Sequence, residues 1–273
     1  MITIISPAKG FNSFDYHDYN IIKKEDVSLP HFLENAKEIV GNLKSLDIDD
    51  ICKLMKTNME IGSLNYERYK DFKFDKNGIP AILAYEGMQY TAIKASDLNR
   101  NELFYANDHI RILSGLYGIL SPLDSIYPYR LEMATRLAIN KTKNLYEYWN
   151  NHIFEKIKND LKSHDDKIIL NLASDEYSRV IKKYLDNEAT FVTCSFKAIK
   201  NNKLTTHSTI SKPARGKMVN YIIKNRADDI ETIKKFNYDG FSFHSEIVSK
   251  NEKIIELIFV KDVTIKPFSL IQR

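Results

Sequence analysis

Only two cysteines occur in these 273 residues, Cys52 and Cys194, far apart and in no C-x-x-C pair. That is too few for a disulfide scaffold and fits two free thiols in a reducing compartment. Seven prolines and nine glycines exclude a collagen-like or low-complexity chain. No apolar run approaches the roughly 18 residues of a membrane span, so no membrane partner is expected. The N-terminal stretch lacks a basic region, and Pro7 stops its short apolar run, which excludes a usual secretory signal. The expected location is the cytosol.

Familiar chemical motifs are also missing. The seven histidines are scattered and none forms H-x-x-x-H, so no metal is assigned. There is no G-x-x-x-x-G-K-[ST], no G-x-G-x-x-G after a strand and no G-x-S-x-G elbow. Nucleotide-triphosphatase, dinucleotide and α/β-hydrolase sites are excluded on that basis, and no cofactor is expected.

One further absence is local. Between Glu188 and Asp228 there is no acidic residue, while Lys197, Lys200, Lys203, Lys212, Arg215, Lys217, Lys224 and Arg226 fall within the interval, with His207. A solvated face that lacks acids is one reading. A polyanion or phosphate site is the other, because charges of both signs normally intermix.

The apolar pattern that is present reads as a mixed α/β protein: a single domain over residues 1–273, with a central, partly parallel sheet and flanking helices. Ile2–Ile5, Ala81–Ala84, Ile110–Leu113 and Lys167–Leu172 read as short buried strands. Residues 11–29 read as loop. Helical periodicity runs from Pro30 to about Leu43, through Glu86–Leu98 and Arg100–His109, over Leu145–Leu161, and from Ser174 to about Leu185. Lys212–Asn225 also reads as helix. Two hairpins are expected, Phe191–Ile199 with Lys203–Ser208 around Asn201-Asn202, and Phe241–Val248 with Lys253–Val260. Within a small helical element at about 30–75, short helices at Asp49–Lys56 and Asn65–Phe72 flank Ile61-Gly62-Ser63-Leu64-Asn65. This segment is either an ordinary helical hairpin or a helix-hairpin-helix gripping phosphates through backbone N–H groups near Gly62.

Polar clusters follow three of the apolar strands: Lys9 after Ile2–Ile5, Ser114, Asp124, Arg130 and Glu132 after the segment ending at Leu113, and Ser174, Asp175 and Glu176 after the strand ending at Leu172. In open parallel sheets ligands sit beyond the carboxyl ends of strands, so neighbouring strands would bring these groups into one crevice. Lys9, Asp124, Arg130, Glu132, Asp175 and Glu176 are therefore the candidates for chemistry. Each also has a plain alternative: Asp175 and Glu176 as helix caps, Arg130 and Glu132 as a structural ion pair.

At these positions the sequence resembles the YaaA (UPF0246-type) family of bacterial peroxide-stress proteins. The matching strings are Ile5-Ser6-Pro7-Ala8-Lys9, Leu113-Ser114-Gly115-Leu116-Tyr117-Gly118-Ile119-Leu120, Pro122-Leu123-Asp124, Pro128-Tyr129-Arg130-Leu131-Glu132-Met133, Asn171-Leu172-Ala173-Ser174-Asp175-Glu176-Tyr177 and Ala214-Arg215-Gly216. Ser121 departs from the pattern, where an arginine is expected. The resemblance implies a mixed α/β globule that resists peroxide, limits iron-driven damage, and binds DNA through a basic cleft and a helix-hairpin-helix-like element. Lys9, Gly62, Lys212, Arg215 and Lys217 are the phosphate-binding candidates. No base-reading helix stands out, so binding to double-stranded or distorted DNA would be structure-directed or non-specific. The alternative is an enzyme on a nucleotide, nucleoside or damaged base, with a small nucleotide-like ligand in a cleft that mixes carboxylates and cations.

Overall fold

Ile2, Thr3, Ile4 and Ile5 are all buried, as a central parallel strand covered on both faces requires. The computed structural model describes residues 1–12, 21–200, 203–250 and 252–262. Chain order starts with β1 (Ile2–Ile5) and β2 (Gly10–Phe11), then α1 (Leu33–Lys44), α2 (Ile48–Met55) and α3 (Met59–Lys70). Next come β3 (Ile79–Pro80), α4 (Ala81–Ala84), β4 (Tyr85–Glu86), α5 (Met88–Ile93) and α6 (Arg100–His109). They lead into β5 (Ile110–Ser114), β6 (Gly118–Leu120), β7 (Ser125–Ile126), α7 (Leu145–Trp149) and α8 (His152–Leu161). The remainder comprises β8 (Ile168–Leu172), α9 (Asp175–Lys182), β9 (Thr190–Lys200), β10 (Lys203–Thr205), α10 (Ser208–Asn225), α11 (Ile230–Lys234), β11 (Phe241–Val248) and β12 (Ile254–Asp262).

The main sheet runs β11-β12-β9-β8-β1-β5-β6, with β10 attached to β9. The four central pairings, β12 with β9, β9 with β8, β8 with β1 and β1 with β5, are parallel. Antiparallel strands close both margins, β11 on β12 and β6 on β5. The fold is thus mixed α/β around a largely parallel sheet. Helices α6 and α8 pack on β1, and α10 packs on β9 and α5. The apolar stripes explain this: α8 buries Ile153, Phe154, Ile157 and Leu161, and α9 buries Tyr177, Val180 and Ile181.

Four sequence expectations change. Ala81–Ala84 is a helical turn, not a strand. Its leading N–H groups bond to the loop between β6 and β7, Ala81 to the Asp124 carbonyl (2.9 Å) and Ile82 to that of Pro122 (3.0 Å). The helix expected over Leu145–Leu161 breaks at Asn150, which takes a positive φ of 45° and separates α7 from α8. Helix α5 stops at Lys94, which is left-handed (φ 53°). Gly62 lies inside α3 and not in a turn. Its N–H bonds to the Asn58 carbonyl at 3.0 Å, so it offers no free donor to a phosphate. The Asn201-Asn202 turn lies outside the described residues.

Among the described residues, no helix is long and apolar enough to cross a membrane. Nor does any group of three or more His, Cys, Asp or Glu side chains there form a metal-holding cluster.

Candidate functional site

Strands β8, β1 and β5 are parallel neighbours, so their carboxyl ends open on the same edge of the sheet. Ser6, just past β1, and Ser174, just past β8, pin two of these ends together. The Ser174 N–H donates to Ser6 Oγ at 2.8 Å, and Ser6 Oγ donates to Ser174 Oγ at 3.3 Å. From the side, the Tyr90 hydroxyl donates to the Ser6 carbonyl at 3.0 Å.

The charged groups follow from that frame. Lys9 reaches Glu132, Nζ to Oε1 at 2.7 Å, and Arg130 Nη2 reaches the same oxygen at 3.4 Å. Glu176, in the first turn of α9, accepts the Ala134 N–H at 3.1 Å. Across the opening stand α5 and α10, which carry Gln89 on one side and Lys212 and Arg215 on the other. Together these groups line a cavity of roughly 420 Å³, a size common for small-ligand sites.

Arg215 is the notable group. Its guanidinium is largely covered, and its Nε finds no hydrogen-bond partner. Burial pulls its pKa below the ordinary value, while the charge of Asp175 opposes the shift; an arginine stays protonated regardless. Among the described residues, neither Arg215 nor Lys212 has a carboxylate within ion-pair distance. A covered cation without an anion is costly, and an anionic ligand removes that cost. Gln89 Nε2 is a second unpaired donor on the cavity wall, although the residue is 7% exposed.

The expected candidates therefore divide. Lys9, Glu132, Glu176, Lys212 and Arg215 line the cavity, and Arg130 meets it through Glu132. Asp124 does not join them. It is buried elsewhere, accepting Ser28 Oγ and the Ser121 N–H at 2.7 Å each, and burial raises its pKa to about 6. The departure at Ser121 likewise falls outside the cavity lining. Asp175 points outward, with its side chain 97% exposed and paired with Lys182 at 3.0 Å. Lys217 donates to the Tyr238 hydroxyl at 3.0 Å and sits 4.5 Å from that ring's centroid. Ser114 is sealed in the core, where it accepts the Leu116 and Tyr117 N–H groups and bonds to the Tyr129 hydroxyl.

Nor does the acid-free segment stay acid-free in space. Lys197 pairs with Glu256 at 3.5 Å and Lys224 with Glu102 at 2.8 Å. Among the described residues, its cations Lys212 and Arg215 line the cavity. A larger depression of roughly 600 Å³ beside Arg179 has polar groups that already pair, Lys182 with Asp175 and Tyr184 with Asn150.

The family model of the peroxide stress protein YaaA matches residues 1–247. This chain belongs to the YaaA peroxide stress protein family. A UPF0246 protein of Clostridioides difficile (strain 630) is 45% identical over 262 residues, covering 96% of this chain and 100% of its own. UPF0246 proteins of Clostridium perfringens (strain 13 / Type A) and Crocosphaera subtropica are 40% and 39% identical, covering 90% and 96% of this chain and 96% and 100% of their own. The strings that carried the YaaA resemblance serve two ends in the fold. Ile5–Lys9, Ser174–Tyr177 and Ala214–Gly216 build the cavity, whereas Leu113–Leu120 is core: Trp149 donates to the Gly115 carbonyl at 3.0 Å and packs on Gly118. Met88, Gln89 and Tyr90 were missed as site residues. Gly87, with φ +157° just before them, was the one local signal.

Proposed function

We propose that this YaaA-family protein acts in the peroxide-stress response by binding DNA at the crevice, in a structure-directed or non-specific way, and so helps limit iron-driven damage. The observation that carries this reading is Arg215, covered, cationic and without an anion, beside Lys212 on one wall. Such a pair suits phosphate oxygens, which position a nucleic acid without reading its sequence. A titration with duplex DNA at roughly 50 and 200 mM salt tests it. Wild type is expected to bind, more weakly at the higher salt. Arg215→Gln/Lys212→Gln is expected to bind at least about tenfold more weakly, with a salt slope shallower by about 2. Asp49→Ala, which alters an exposed acid on α2, is expected to bind as wild type does. Absence of binding at low salt, or a double variant equal to wild type, removes this reading.

A second reading, an enzyme acting on a nucleotide, nucleoside or damaged base, is favoured by the carboxylates Glu86, Glu132 and Glu176 in the same cavity as Arg215. Incubation with nucleotides, nucleosides and DNA carrying damaged bases, followed by chromatography, tests it: a product lost in Glu176→Gln supports it, and no product from any of them removes it.

A further inference from the structure

We propose that the crevice holds a single nucleotide drawn out of the DNA stack, its phosphate on Arg215 and Lys212 and its base edge on Glu176. This rests on the DNA-binding reading above.

The argument begins with donors and acceptors. The backbone of a DNA strand offers acceptors: phosphate oxygens and sugar ether oxygens. Its deoxyribose, linked at both hydroxyls, has no free O–H. A site built for backbone alone would show donors and no unneutralised acid. Glu132 fits such a site, because Lys9 and Arg130 already neutralise it, and Glu86 on the same lining is exposed to water. Glu176 does not. Its carboxylate accepts one backbone N–H, from Ala134, and among the described residues no cation pairs with it. Four lone-pair positions on a carboxylate leave most of its capacity open to a donor. In DNA the hydrogen-bond donors are the exocyclic amines and ring N–H groups of the bases. One hydrogen of each exocyclic amine still faces a groove in a duplex, but a duplex does not fit a cavity of roughly 420 Å³. A base that meets Glu176 inside it has left the stack.

The walls suit a base. Pro7, Tyr90 and Tyr177 line the cavity with apolar faces, and Met88 stands on α5 with 46% of its surface exposed. An exposed methionine in a polar crevice is unfavourable in water and favourable against an aromatic ring. Gln89 supplies a second, independent sign of a ligand site: an almost fully buried amide on this wall whose Nε2 lacks an acceptor. A base ring nitrogen or carbonyl is such an acceptor, reached by rotation of the amide. Extrusion costs least where a nucleotide is unpaired or mismatched, so binding is directed to distorted DNA with no need for base-specific readout in a groove.

The test compares three duplexes of one length: fully paired, with a central unpaired 2-aminopurine, and with an abasic unit in place of that base. All three keep the phosphates, and the three are compared on the wild-type protein, so folding of a variant does not enter that comparison. The unpaired-base duplex is expected to bind at least about tenfold more tightly than the abasic one. Its 2-aminopurine fluorescence is expected to change on binding, as the base leaves its neighbours. Glu176→Gln and Met88→Ala are expected to bring the unpaired-base duplex toward the abasic affinity, and Asp49→Ala, an exposed acid on α2, to leave it unchanged. Equal affinity for the unpaired-base and abasic duplexes, with no fluorescence change, overturns base extrusion and leaves DNA binding standing. No binding to any of the three overturns both.

Discussion

Gly216 of α10 lies directly on the backbone carbonyl of Gln89 in α5: a β-carbon at 216 would come within 2.1 Å of that oxygen and 2.8 Å of the Ala92 β-carbon. This contact sets how closely the wall bearing Arg215 approaches the wall bearing Gln89. Gly216→Ala forces the two helices apart. A loss of roughly 1–3 kcal/mol is expected, as for overpacking a core. Urea denaturation gives the stability. Ligand affinity should fall further than in an equally destabilised variant elsewhere, because Arg215 moves with α10.

Gly62 makes the same kind of contact between α2 and α3. A β-carbon there would sit 2.1 Å from Cys52 Sγ. Gly62→Ala is expected to destabilise, and Cys52→Ala to restore part of the loss by removing the sulfur. The two changes should therefore be non-additive, with the double variant more stable than the sum of the singles by about 1 kcal/mol. Denaturant midpoints of the four proteins check it.

Asp124 gives a pH signature. Burial lifts its folded pKa from 3.8 to about 6, against the Ser28 and Ser121 hydrogen bonds that lower it. The folded state therefore binds this proton more tightly than the unfolded chain. That contribution to stability is complete below pH 3.8 and is lost as pH rises through about 6. The gap corresponds to roughly 3 kcal/mol. Stability of wild type minus Asp124→Asn, measured from pH 4 to pH 7, should fall across this window. A flat difference would show that Asp124 carries no such shift.

Arg111 and Asp160 form a covered ion pair, Nε to Oδ2 at 2.8 Å, joined by Lys156. Burial alone would raise the Asp160 pKa, but Arg111 and Lys156 hold it below the ordinary value. Asp160→Ala leaves Arg111 buried with only the Asn107 and Ile110 carbonyls as partners. A loss of roughly 3 kcal/mol is expected. Asp160→Ala/Arg111→Met should recover part of it, which thermal unfolding of both variants will show.

Much of the site was legible because one rule connects apolar strands to ligand positions. Runs such as Ile168-Ile169-Leu170 identify parallel strands, and Lys9, Glu132 and Glu176 follow such strands in the chain. The same proximity misled for Asp124 and Asp175. Both follow strands, yet Asp124 turns inward to Ser28 and Asp175 outward to Lys182. Ala81–Ala84 was misread because four apolar residues complete neither a helical nor a strand period. Gly62 was read as a turn because glycine's two roles, conformational freedom and close approach, look identical in sequence.

Local pattern by itself determined the mixed α/β class, the buried strands, most helices and the strand ends from which the crevice is built, because those depend on periodicity over a few residues. Charge balance was decided only by the tertiary structure. Glu102 lies 122 residues before Lys224 in the chain and touches it in space, and Glu256 reaches back to Lys197. Arg215, from the same acid-free segment, is brought to a largely covered wall where its Nε finds no partner. Electrostatic pairing acts over a few ångströms whatever the separation along the chain, so which cations remain for a ligand is settled when the sheet brings distant segments together.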